Sequence, residues 1–185
     1  MRIVRWIFLV VVVLAVLVEL AVPRFAAARI EAGVRERVRD AAGIDARLGD
    51  FPVVTRYLFT GEVDEVRVVL REVVRQDVPF ARVRFDLDGV SLDRAALLRG
   101  EVEVTDMDTG RVTAQIDTAQ LGPAGEQLPD RVDVAGRQLR LGEAVRVAIP
   151  DELVPCQPRA EVEPGRVVLT CTLDQVPSIL VRAVG

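Results

Sequence analysis

The chain has 185 residues, 50% of them hydrophobic, and 28 carboxylates against 24 basic residues, all Arg, for a net charge of −4. That length supports one sizeable core, and the acidic balance disfavours nucleic acid, whose phosphates need a basic footprint. His and Lys are absent and Ser91 and Ser178 are the only serines, which excludes Ser/His/Asp, Cys/His and Ser/Lys nucleophilic machinery and leaves carboxylate pairs as the common catalytic option.

Arg2 and Arg5 precede an apolar run over residues 6–18, which meets Glu19, resumes over 20–22 and stops at Pro23. Arginines before the run keep that end cytoplasmic, so the rest of the chain faces outward. The run is intermediate in length between a signal-peptide core and a bilayer span. A small-residue region at Ala26, Ala27 and Ala28 offers a cleavage site, and no Cys follows the run to make a lipoprotein signal. Residues 1–28 are therefore expected to be a signal peptide or an N-terminal membrane anchor. Residues 29–185 form the exported domain, in a periplasm-like space or on the outer face of the plasma membrane.

After Pro23, Ile30, Val34, Val38 and Ala41 recur at helical spacing with Arg35, Glu36, Arg39 and Asp40 between them. This predicts an amphipathic helix ended by Gly43 in a left-handed conformation. The next segment, DFPVVTRYLFTGEV, holds three of the chain's eight aromatic rings, Phe51, Tyr57 and Phe59. Phe51 and Pro52 are expected to turn the chain, Tyr57 and Phe59 to close one end of an apolar sheet, and Gly61 to release the chain into a strand.

From residue 62 the hydrophobic period becomes 2. Val66/Val68/Leu70, Val83/Phe85/Leu87, Val102/Val104, Val112/Ala114/Ile116, Val132/Val134, Val145/Val147/Ile149 and Val167/Leu169/Cys171/Leu173 each share a face. Seven or eight strands with one apolar and one charged side make an antiparallel sheet with one wet face. Turns are predicted at Asp88-Gly89, Asp108-Thr109-Gly110, Gly122-Pro123, Ala135-Gly136 and Pro164-Gly165. SLDRAALLRG reads as a short helix capped by Ser91 or Asp93 and ended by Gly100. Such a sheet needs a cover for its apolar face; the inward side chains permit either a dry core or a narrow apolar groove.

Cys156 and Cys171 flank the turn-like PRAEVEPGR, and an exported chain is one in which a disulfide between them persists. The DLDG and DMDTG segments lack calcium-loop spacing, and no metal or cofactor is expected. Glu101/Glu103 and Glu161/Glu163 would serve a glycan hydrolase only with another carboxylate across a cleft. Arg56, and behind it Arg75, are the candidates to hold a phosphate head group.

The order of features resembles the LmeA-like family of phospholipid-binding cell-envelope proteins of actinobacteria. The resemblance rests on the apolar segment, the amphipathic helix, then Gly49, Phe51-Pro52, Leu58, Gly61, Asp64 and Val66, and on RVRFDLDGVSLDRAALLRGEVEV. Asp50 departs from the Gly-Phe-Pro run of that pattern. The resemblance implies an α+β fold in which a long curved antiparallel sheet carries amphipathic helices on its apolar face and encloses a groove that a lipid could occupy. It implies a non-catalytic role with phosphatidylinositol-type or other anionic phospholipids, in envelope glycolipid or mannan assembly; it names no protein partner. The groove would then be lined by Tyr57, Phe59, Val66, Val68, Leu70, Val83, Phe85, Leu87, Val102 and Val104. A membrane-anchored interaction module without a lipid is the alternative.

Overall fold

A computed structural model describes residues 2–38, 40–49, 52–75, 78–93, 95–96, 99, 103–121, 133–135, 137–141 and 145–178. Helix α1 runs over Arg2–Arg37 with Pro23 inside it. It is followed by β1 (Gly43–Leu48), α2 (Val53–Thr60), β2 (Glu62–Arg75), β3 (Val78–Leu92), β4 (Val104–Asp106) and β5 (Thr109–Asp117). A 3-10 turn over Thr118–Leu121 precedes β6 (Asp133–Ala135), β7 (Gln138–Leu141), β8 (Val145–Ala148), β9 (Arg159–Glu163) and β10 (Arg166–Leu173). The fold is α+β: an open seven-stranded antiparallel sheet in the order β1-β2-β3-β5-β10-β9, with β4 beside β3, and a separate three-stranded sheet β6-β7-β8.

Alternation along the strands becomes rows across the sheet. One row is Ala46, Val68, Phe85, Val112 and Cys171; the next is Leu48, Val66, Leu87, Gly110 and Leu173. A Cβ on Gly110 would lie 3.0 Å from both Leu87 and Leu173 side chains, so glycine lets those two leucines approach. The opposite face carries charge ladders such as Arg67, Asp86 and Arg111 in register. Arg67 donates to Asp86 at 2.8 Å, and that bond, with the nearby Glu65, holds its guanidinium above the usual range. Such pairs keep the wet face soluble and in register.

The apolar face is covered from two sides. Ala26, Ile30 and Val34 of α1 with Val38 just after it, and Leu139 of β7 with Ile149, Leu153 and Val154, join the strand side chains in one buried cluster. Glu31 of α1 accepts the Ala46 N–H at 2.9 Å. This satisfies an outward donor of β1, which is an edge strand that would otherwise offer itself for pairing. At the other end, Arg137 donates to the Val154 carbonyl at 2.6 Å and holds the 149–154 segment against the core.

Four local expectations change. Helix α1 passes through Pro23 and ends at Arg37, and Gly43 opens β1 instead of capping a helix. Pro23 removes one N–H, but the helix keeps one buried face from Ala26 through Ile30 and Val34, and that packing carries it across. Gly89 lies inside β3 at φ +62° instead of in a turn, because β3 continues past β5 to pair with β4. Ser91 is likewise a strand residue, and Asp93 alone takes the cap position, accepting the Ala96 N–H at 2.6 Å. The segment before Gly61 is a helix whose C-cap is Gly61 at φ 81°, its N–H bonded to the Tyr57 carbonyl. Turn positions at Asp108 and at Pro164-Gly165 do separate consecutive strands. Gly122-Pro123, Gly136 and Gly100 lie outside the described residues.

Candidate functional site

The apolar residues expected to line a groove come together, but in the interior. Val66, Val68 and Leu70 of β2 stand opposite Leu87, Phe85 and Val83 of β3, each at most 2% exposed. Val104 is buried too, whereas Val102 lies outside the described residues. None of these described side chains lines the cleft beside β9 and β10 or the groove between α1 and β1. Tyr57 packs against the same core, its hydroxyl 3.5 Å from the Leu92 carbonyl. Phe59 is 85% exposed on α2 and does not close the sheet; Phe51 lies outside the described residues.

The two arginines are not brought together. Arg56 pairs with Asp64 at 2.6 Å near the start of β2, and Arg75, the last residue of β2, pairs with Asp40 at 2.5 Å. At ~3.3 Å per strand residue, Asp64 and Arg75 stand roughly 36 Å apart. One head group cannot meet both. Cys156 and Cys171 form a disulfide that ties the 150–158 segment to β10.

In the sequence Glu19 reads as an interruption of an apolar run. In the fold it is only 7% exposed. Its carboxylate accepts the N–H groups of Val54 at 2.8 Å and Thr55 at 2.5 Å and the Thr55 hydroxyl. The first N–H groups of a helix have no partner within it, and Pro52 at the N-cap of α2 makes no side-chain capping bond. A carboxylate from another helix supplies the acceptor and complements the positive end of the α2 dipole. Two signals point this way: a carboxylate in an apolar helix requires a partner, and the helix that begins at Val53 has Pro52, not Ser, Thr, Asp or Asn, at its N-cap.

Beside this junction lies a groove of about 570 Å³ between α1, β1 and the start of α2. Leu20, Pro23, Ala27, Ala46, Leu48 and Val53 supply an apolar wall, with Glu19, Arg24, Arg47 and Gly49 also lining it. A larger cleft of about 1030 Å³ lies at the opposite edge of the sheet, against β9, β10 and the disulfide. Its lining is mainly polar, including Arg111, Gln157, Arg159, Glu161, Asp174 and Gln175. Among the described residues no group of three or more Cys, Asp or Glu side chains is placed to hold a metal ion.

A family model described as LmeA-like phospholipid-binding matches residues 17–183. The chain belongs to that family. Neither a curated protein nor a solved structure matches it. In this LmeA-like chain the match begins two residues before Glu19, so it takes in the helical wall of the groove, the α1–α2 junction and the whole sheet. The long N-terminal helix of the LmeA-like protein has the length and hydropathy of a membrane span or export signal, and its disulfide fits an oxidising compartment.

Proposed function

We infer that this protein is an extracytoplasmic, non-catalytic phospholipid-binding protein held at the outer face of the plasma membrane. It holds or carries acyl lipids, of phosphatidylinositol or other anionic type, in envelope glycolipid or mannan assembly. The observation that carries the reading is the phospholipid-binding family match over nearly the whole chain. The apolar helix and the disulfide support an exported, membrane-bound setting. A chain without His and with two Ser supports binding over catalysis. The tight burial of Val66, Val68, Leu70, Val83, Phe85 and Leu87 argues against acyl chains between the strands and in favour of a surface groove.

The test is mass spectrometry of an organic extract from full-length protein purified in detergent, together with uptake from phosphatidylcholine vesicles containing phosphatidylinositol. Stoichiometric phospholipid in either is expected. Its absence from both would end the reading.

The filled interior also favours a second reading, a membrane-anchored interaction module without a lipid ligand. That reading expects a stable protein complex in detergent extracts of the native membrane and no bound phospholipid.

A further inference from the structure

We propose that the groove between α1, β1 and α2 is the port at which one phospholipid from the outer leaflet is held, and that α1 is retained as the anchor that sets this port at the bilayer surface. The proposal rests on the phospholipid-binding reading and assigns it a place.

Three observations converge on this groove. The first is continuity. Side chains from Trp6 to Val18 of α1 are exposed and apolar, and the same helix runs unbroken into the groove wall at Leu20, Pro23 and Ala27. The apolar stretch is residues 6–18, and with Arg2 and Arg5 placed among the inner head groups residues 2–18 extend roughly 26 Å, enough to cross a thin bilayer. Leu20 to Arg24 then lie roughly 3–9 Å beyond Val18 along the axis, at the depth of the head-group layer, about 5–8 Å thick. An acyl chain leaving the leaflet along α1 meets apolar surface without crossing water.

The second is chemistry. The wall is apolar, the volume lies within the ~300–1,000 Å³ range of ligand sites, and Arg24 and Arg47 supply the cations that a phosphodiester requires. Arg47 is exposed and shares Asp45 in an exposed pair of little strength. The rival cleft at the β9 edge is mainly polar, offsets Arg111 and Arg159 with Glu161 and Asp174, and is farthest from β1 in strand order, whereas the groove has a single carboxylate, Glu19, engaged by the α2 N–H groups, against two arginines.

The third is that the groove and the fold both need residues 19–27. Cleavage at Ala26 to Ala28 would remove Glu19, the acceptor for the start of α2, and Ala26, a core residue. Half of the groove wall would leave with them.

The full-length protein is reconstituted in phosphatidylcholine vesicles doped with phosphatidylglycerol bearing a photoreactive acyl chain, irradiated, digested and mapped by mass spectrometry. Label is expected on peptides containing residues 20–27 and 46–53. Charge reversal at the exposed Arg24 and Arg47, Arg24→Glu and Arg47→Glu, should weaken labelling there roughly fivefold for each arginine, with an unchanged circular dichroism spectrum. Label confined to residues 155–178 or to β2 and β3 would overturn the port and leave phospholipid binding standing. Label on residues 6–18 alone, which any spanning helix collects, would overturn it too, and no label anywhere would end both readings. Intact mass of protein from native membranes should include residues 1–28; a mature N-terminus near residue 29 would refute retention.

Discussion

Glu19 and Thr55, 36 positions apart, are joined twice: the Glu19 carboxylate accepts both the backbone N–H and the side-chain hydroxyl of Thr55. The bond pair fastens an 8-residue helix that is too short to be stable alone to the point where α1 leaves its exposed apolar stretch. The orientation of α2, and with it one wall of the groove, follows from a side chain that belongs to another element.

Glu19→Ala should therefore loosen α2 selectively. Hydrogen exchange should speed up at the amides of Val54 and Thr55, with those of β5 and β10 unchanged. Glu19→Gln, which keeps an acceptor oxygen but loses the charge, should fall between the two. Uniform acceleration across the sheet would show that the contact supports the whole fold rather than the junction.

The two phenylalanines on either side of the surface should separate cleanly. Phe85 is fully buried, and Phe85→Ala should destabilise by ~3–5 kcal/mol. Phe59 is exposed, and Phe59→Ala should stay within about 0.5 kcal/mol. Denaturant titrations of full-length protein in detergent compare them directly.

Opening the disulfide should cost about 3 kcal/mol in the chain-entropy model, given its 15-residue separation. Cys156→Ser with Cys171→Ser tests this by the shift in denaturation midpoint. The same double variant should leave photolabelling of residues 20–27 intact, because the disulfide lies near the opposite sheet edge.

Gly89→Ala should be far more harmful than Gly165→Ala. Both glycines have positive φ, which costs an L residue roughly 1–2 kcal/mol. At Gly89 a Cβ would also collide with the Asp108 side chain, whereas at Gly165 it would meet nothing within 4 Å. Thermal unfolding of the two variants should rank them in that order.

What the sequence determined by itself was the set of inward residues and the cysteine pair. Period-2 alternation is a property of the extended backbone, so Val66, Val68 and Leu70, then Val83, Phe85 and Leu87, are assigned to one face before any partner is known. The family was legible for the same reason, being carried by the order of local patterns. The edge strand β1 and helix α2 were not legible, because GIDARL has one short alternation and VVTRYLFT no cap of its own. Each is tied down by a carboxylate of α1, Glu31 for β1 and Glu19 for α2, 15 and 35 residues away. Whether the apolar face was a groove or a core also lay beyond periodicity, since both present the same stripe. Only the tertiary structure shows α1 residues and the 149–154 segment packed into one cluster with that face, and a separate apolar groove outside it, because both arise from contacts between distant segments.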